Sequence, residues 1–168
     1  MAGIKEIARK RQLSSLEKVK PTGIIPLGKI SSMLVLLDGT QQGCEEELEK
    51  FASGHGISLR TVYLAWAVES KTPAEATIRK EDLDWAGRPS DEKCGPLLDP
   101  APDLLVSLVD GTPYPLEYLA KRCDARFKVG RKQLPGDTFD VVFPEPRGEH
   151  HTQSEAFSQI VKFLETIA

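Results

Sequence analysis

Two apolar runs end in the same tripeptide: Leu36-Leu37-Asp38-Gly39-Thr40 and Leu108-Val109-Asp110-Gly111-Thr112. A carboxylate at a strand's end can act as a nucleophile toward a phosphoryl group or as a general acid–base. Asp38 and Asp110 stand at such ends. Two readings remain. Asp-Gly is good turn chemistry at the end of a strand. Alternatively Asp38, Thr40, Asp110 and Thr112 line one edge, where ligands of parallel sheets bind beyond the carboxyl ends of the strands and helix N-termini hold anions.

The tripeptides resemble part of the Asp-x-Asp-Gly-Thr signature of the haloacid-dehalogenase phosphatases, in which the first Asp takes the phosphoryl group and the second is the acid–base. The position two before Asp38 holds Leu36 and the position two before Asp110 holds Leu108, and an aliphatic side chain cannot form an acyl phosphate, so the reaction that the resemblance implies lacks its nucleophile. Elsewhere, Arg131 follows Gly130, where a guanidinium could fork onto a phosphate or carboxylate, or tie a loop to a local acid. Trp85 and Arg88 lie in the loop 81–89, where a large aromatic either stacks on a ligand or pins the loop as a plug. Cys44, Cys94 and Cys123 form no Cys-x-x-Cys pair, and His55, His150 and His151 are scattered, so no metal site is expected. No glycine-rich dinucleotide or P-loop fingerprint and no serine nucleophile elbow is present. The ligand-binding candidates are therefore Asp38, Thr40, Trp85, Arg88, Asp110, Thr112 and Arg131, with no catalytic residue and no cofactor.

The elements that would position these groups show as hydrophobic pattern. Residues 32–37 are continuously apolar, as in a strand covered on both faces. A helix follows, with Cys44, Leu48, Phe51 and Ala52 at helical spacing, Glu45 to Glu47 at its positive end, and Gly54 and Gly56 to close it. Residues 59–68 read as a second inner strand rich in β-branched and aromatic side chains. The segment 69–102 carries Pro73, Pro89, Pro96, Pro100 and Pro102 and is expected to be irregular, with 74–80 a short helix or strand. From 103 to 131 the chain reads as strand (104–109), turn, helix (116–123) and strand (125–129), a βαβ unit around which the rest is organised. The link 131–138 to the last strand (139–143) is shorter than the roughly dozen residues of a parallel crossover. That strand is expected to be antiparallel, or joined by an unusually tight connection. Phe157, Ile160, Val161, Leu164 and Ile167 form the core stripe of a closing helix. The expected class is an α/β three-layer sandwich, Rossmann-like or flavodoxin-like, with a mostly parallel sheet of about five strands.

The net charge of −3 hides an asymmetry. Residues 1–30 hold seven basic residues (Lys5, Arg9, Lys10, Arg11, Lys18, Lys20, Lys29) against Glu6 and Glu17, a net +5, which leaves −8 for the rest. Ile4, Ile7, Ala8, Leu16 and Val19 recur among these charges in a loose helical pattern, broken by Pro21-Thr22-Gly23. The expected organisation is a basic helix and linker (1–30) on a single α/β domain (31–168). No apolar stretch matches a signal peptide or the ~20 residues that cross a bilayer, and the odd, unpatterned cysteines fit a reducing cytosol.

From about Ser32 onward the chain resembles a bacterial family of small α/β proteins classed as a domain of unknown function. The residues that carry the likeness are LVLLDGT (34–40), LDWAGRP (83–89), DLLVSLVDGTPYPLEYLAKRCDARFKVGR (103–131) and FDVVF (139–143), and the basic N-terminal helix is similar too. This resemblance implies a fold but no activity. More locally, PDLLVSL and YLAKRCDARFKVGR are similar to the acceptor half of the lipopolysaccharide heptosyltransferases. Those enzymes need a second Rossmann-like domain for the nucleotide sugar, which 168 residues do not accommodate, so the likeness implies shared fold rather than shared reaction.

Two functions stay open at this point. The first is a non-catalytic binding or regulatory module that recognises a protein or a small anionic molecule, with the basic helix as a tether to an anionic surface. The second is an enzyme acting on a phosphorylated or nucleotide-sugar substrate at the edge that holds Asp38, Asp110 and Arg131. Nucleic-acid binding as the main role is disfavoured by the acidic body and the lack of a reading motif.

Overall fold

The structure is a computed structural model that describes residues 2–16, 23–65 and 72–168. Six strands build one sheet: β1 (Ser32–Asp38), β2 (Ser58–Ala65), β3 (Thr77–Arg79), β4 (Leu104–Ser107), β5 (Phe127–Gly130) and β6 (Val141–Val142). Their order is β3-β2-β1-β4-β5-β6, and every neighbouring pair is parallel. Side chains alternate along the central strand. Met33, Val35 and Leu37 enter a core with α2 (Glu45–Gly54) and α5 (Gln153–Thr166), while Leu34 and Leu36 enter another with α3 (Asp91–Leu98) and α4 (Tyr114–Arg122). Burial on both faces is why the run reads as continuously apolar rather than alternating. Strands are added outward from β1 toward β3, then from β4 toward β6, the doubly wound order that opens a crevice where the direction reverses. That reversal falls between β1 and β4.

The last strand runs parallel to β5, so the antiparallel alternative is corrected and the tight connection is what the chain uses. No helix is needed because the link packs on itself. The Gln133 side-chain oxygen accepts from the N–H groups of Leu134 (3.2 Å) and Phe139 (2.9 Å), and its nitrogen donates to the Phe139 carbonyl at 2.9 Å. Leu134 and Phe139 are buried, filling the place of a crossover helix. Gly136 and Asp137 turn the chain at φ of 81° and 51°. Strand β6 is also shorter than the stretch 139–143.

The segment expected to be irregular contains both β3 and α3. Ser90 caps α3 by accepting the Lys93 N–H, and Cys94 and Leu98 bury its inner face. Gly95 and Pro96 inside the helix mask its pattern, which then rests on two buried side chains one turn apart. Strand β2 is described to Ala65; Trp66, Ala67 and Val68, expected to continue it, lie outside the described residues, as do residues 17–22 of the basic arm. The N-terminal helix α1 (Ala2–Ser14) lies on the α3/α4 side, where Leu13 and Leu16 pack against the core. Among the described residues, no helix is long and apolar enough to cross a membrane.

Strand β5 carries a lysine into this core. Lys128 is buried, and its Nζ donates to the Ala120 carbonyl at 2.8 Å near the end of α4. Burial pushes its pKa down, with Cys123, Asp140 and Asp124 pulling the other way. A lysine whose native pKa is lowered binds fewer protons folded than unfolded, so stability rises with pH between the native value and the ordinary ~10.4. We expect wild type to gain stability relative to Lys128→Met in urea melts taken from about pH 7 to 10. Both proteins share the same cysteines; Cys123, the one that the Lys128 charge pulls down, is still raised to about 11 beside it, so the comparison is read below that pH. Parallel pH profiles would show that Lys128 is not desolvated.

Candidate functional site: a carboxyl-edge cavity and a basic groove

At the β1/β4 reversal lies a cavity of about 340 Å³ lined by Asp38, Gln41, Asp110, Arg131, His150 and Gln153, among others. The Leu108 N–H donates to the Leu36 carbonyl at 2.9 Å, extending the β1–β4 ladder to the rim, so the two Asp-Gly-Thr corners stand side by side. The Asp38 carboxylate is largely occupied by its own turn: Oδ1 accepts from the Thr40 N–H (2.9 Å) and Oγ1 (2.6 Å). Gln153, buried at the start of α5, clamps the corner by accepting the Asp38 N–H at 2.7 Å and donating to the Asp38 and Gln42 carbonyls. A capping box of Thr152 and Glu155 fixes that helix start.

Arg131 is 5% exposed and works as a tie. Its Nη1 donates to the Leu108 carbonyl (3.1 Å), and its Nη2 donates to the His151 carbonyl (2.9 Å) and the Glu145 carboxylate. The same Glu145 oxygen accepts the His151 N–H at 2.9 Å. That backbone bond, followed by the Arg131 charge, holds the Glu145 pKa below the usual carboxylate range. The β6–α5 loop is thereby fastened to the end of β4, which brings His150 and Asp110 together with Glu145. His150 Nδ1 lies 3.8 Å from Asp110 Oδ2 and 3.7 Å from Glu145 Oε2. One donor atom from each of the three residues falls within a 4.8 Å cluster, a set of two carboxylates and an imidazole that could take a divalent cation.

A second feature lies beside α1. In the turn 84–88, Asp84 Oδ1 accepts the N–H groups of Ala86 and Arg88, both at 2.9 Å, and its backbone pairs with Arg88 and Gly87. Arg88 Nε stands 3.7 Å from the Asp84 carboxylate. From α1, Arg9 Nε donates to the Ala86 carbonyl at 2.7 Å, and its guanidinium stacks 4.5 Å from the centre of the Tyr114 ring. Gln12 donates to Asp84 at 2.8 Å and accepts from the Tyr114 hydroxyl at 2.7 Å. Burial, then Glu117, pushes that hydroxyl up to about 12, so it stays a donor. Gly87 turns at φ 98° with Arg9 and Tyr114 tight against it. The result is a rigid turn that buries Ala86 completely and leaves Trp85 64% exposed. Trp85 lines an open groove of about 630 Å³ with Lys5, Arg9, Lys80 and Tyr114.

A model of the family of unknown function DUF6913 matches residues 4–167. The chain belongs to that family. No curated protein matches it.

The DUF6913 match takes in both features, since it runs from α1 to the end of α5. Five of the seven candidates divide between them. Asp38, Asp110 and Arg131 meet at the carboxyl-edge cavity, and Trp85 and Arg88 belong to the turn on the other side. Thr40 is spent on Asp38, Thr112 is exposed, and neither lines the cavity. Trp85 is not a plug, because Ala86 fills that place. Glu145, His150, His151 and Gln153 had no signal as site residues, apart from Thr152 and Glu155 announcing a helix start. The three thiols are buried; burial, then Glu47 and Glu45, pushes Cys44 up to about 12, and burial raises Cys123 to about 11. Neither is a thiolate nucleophile near neutral pH.

Proposed function

We propose that this DUF6913 protein is a non-catalytic binding module that docks on an anionic partner through α1 and the 84–88 turn. The observation that carries this reading is the fixed display of Trp85 beside two cations. An exposed tryptophan on a turn held by Asp84, Arg9 and Gly87 loses little freedom on binding, which is what preorganisation contributes to affinity. Among the described residues, neither Lys5 nor Lys80 has an ionic partner, and both line the groove next to it. Residues 31–168 carry −8, whereas α1 sets Lys5, Arg9, Lys10 and Arg11 against Glu6 alone, so α1 is the basic element of this face.

Deleting α1 would also uncover Tyr114 and Ala86, so exposed charges make the better test. The intact protein is expected to be retained by at least one of three polyanions: heparin, single-stranded DNA and anionic vesicles. Retention should weaken with salt and fall about tenfold on Lys5→Glu combined with Lys80→Glu. No retention on any of them, or retention indifferent to both reversals, overturns the reading.

The second reading, an enzyme using a phosphorylated or nucleotide-sugar substrate, has the cavity at the strand reversal in its favour. Its charge is against it. Asp38 and Asp110 line the cavity, and the Arg131 guanidinium is already shared among Leu108, Glu145 and His151.

A further inference from the structure

This inference rests on the docking reading and names the partner. We propose that the face formed by α1 and the 84–88 turn seats on an anionic phospholipid bilayer. Ile4, Ile7 and Trp85 enter the headgroup boundary, and Lys5, Lys10, Arg11 and Lys80 meet lipid phosphates.

The helix is apolar on two sides, and only one is used within the chain. Arg9, Gln12, Leu13 and Leu16 face the body. Ile4 and Ile7 are 60% and 56% exposed. At 100° per residue they project from the opposite half of α1, away from the body-facing side chains, and among the described residues they join neither core. Four large hydrophobic side chains stand exposed among the described residues, and three of them, Ile4, Ile7 and Trp85, belong to this helix and the turn it holds. That concentration marks a contact surface rather than scattered exposure.

Charge and shape select the bilayer. Along α1, Lys5, Arg9, Lys10 and Arg11 against Glu6 leave a net +3. Two copies of this face would repel each other, which disfavours self-association. A nucleic acid would use the cations and could stack on Trp85, but aliphatic side chains give phosphates and base edges nothing. In a lipid interface the isoleucines are buried, tryptophan finds its preferred depth and the basic residues draw the helix to an anionic leaflet. A helix of 13 residues lies in the surface rather than spanning it. The acidic remainder is repelled by the same leaflet, so only one orientation brings the protein down.

The test is co-sedimentation of the full chain with vesicles of phosphatidylcholine alone and with about a third phosphatidylglycerol. Binding is expected only to the anionic vesicles, weakening with salt. It should drop about tenfold for Trp85→Ala and for Ile4→Ser combined with Ile7→Ser, exposed changes whose melting temperatures can be checked against wild type. Binding to zwitterionic vesicles alike, or vesicle binding indifferent to the Ile4/Ile7 pair, overturns the assignment. Retention on heparin or single-stranded DNA without vesicle binding overturns it while leaving the docking reading intact. Binding to none of the three overturns both.

Discussion

Arg131→Ala is expected to destabilise the protein by about 3 kcal/mol or more. The guanidinium holds three acceptors on two segments that are distant in sequence: Leu108 at the end of β4, and Glu145 and His151 on either side of the β6–α5 loop. Removing it strips the Leu108 and His151 carbonyls of a partner, each worth roughly 1–3 kcal/mol where water cannot replace it. It also leaves the Glu145 and Asp110 carboxylates clustered around the His150 imidazole without the guanidinium that offsets them. Arg131→Lys should recover little, because one ammonium cannot reproduce a planar fork serving three directions. Urea melts give the size of the effect, and amide exchange gives its location, with faster exchange expected first around residues 145–153. A cost within about 0.5 kcal/mol of zero, the range of an ordinary surface change, would show that the tie does not hold the loop.

This reading changes what the carboxyl edge is for. An arginine directly after the end of a parallel strand, as Arg131 is after β5, is a natural candidate for catching a phosphate, and one already bonded to a carboxylate and two carbonyls is not. With the Arg131 cation turned to internal bonds, the carboxylates left lining the cavity are Asp38 and Asp110, a charge that disfavours anionic ligands. The basic character of the chain lies instead at α1, on the α3/α4 side of the sheet. Among the described residues the two features are therefore opposite in charge.

Most of the scaffold was legible because it is built on a covered parallel sheet. The run at 32–37 announces β1, the stripe from Phe157 to Ile167 announces α5, and 103–131 announces the βαβ unit, since each pattern comes from burial that the residues themselves determine. What was not legible rests on single long-range bonds. Arg131 could be read as a fork or a tie, and only the arrival of Glu145 and His151 decides between them. Trp85 read as plug or platform because nothing local reveals that Arg9, from another segment, anchors Ala86. Helix α3 was hidden by Gly95 and Pro96, and the parallel direction of β6 by a link whose compactness depends on Gln133 bonding within its own loop. Local pattern carries local burial; it does not carry which distant side chain satisfies a given carbonyl.

Gly130 illustrates the same limit, and it gives the other large effect. In sequence, a glycine before Arg131 reads as freedom to turn or room for a ligand. Its φ is not positive, so the backbone does not require it. The Phe139 ring does: a Cβ at Gly130 would lie 2.5 Å from Cδ2 and 2.7 Å from Cζ, closer than carbon atoms approach. The ring is 3% exposed and packed in the core beside Leu134, so it cannot swing into solvent. Gly130→Ala must push the ring, and with it the self-bonded link that delivers β6, at a cost of about 3 kcal/mol, the upper part of the range for overpacking. Phe139→Leu alone should cost about 1.5 kcal/mol as a core truncation. Combined, the two should cost clearly less than their sum, because the smaller side chain vacates the space the new methyl needs. A double-mutant cycle in urea tests this, with a coupling of about 1 kcal/mol or more expected for groups in direct contact. Strictly additive costs would mean that the glycine is required for some reason other than the ring lying over it.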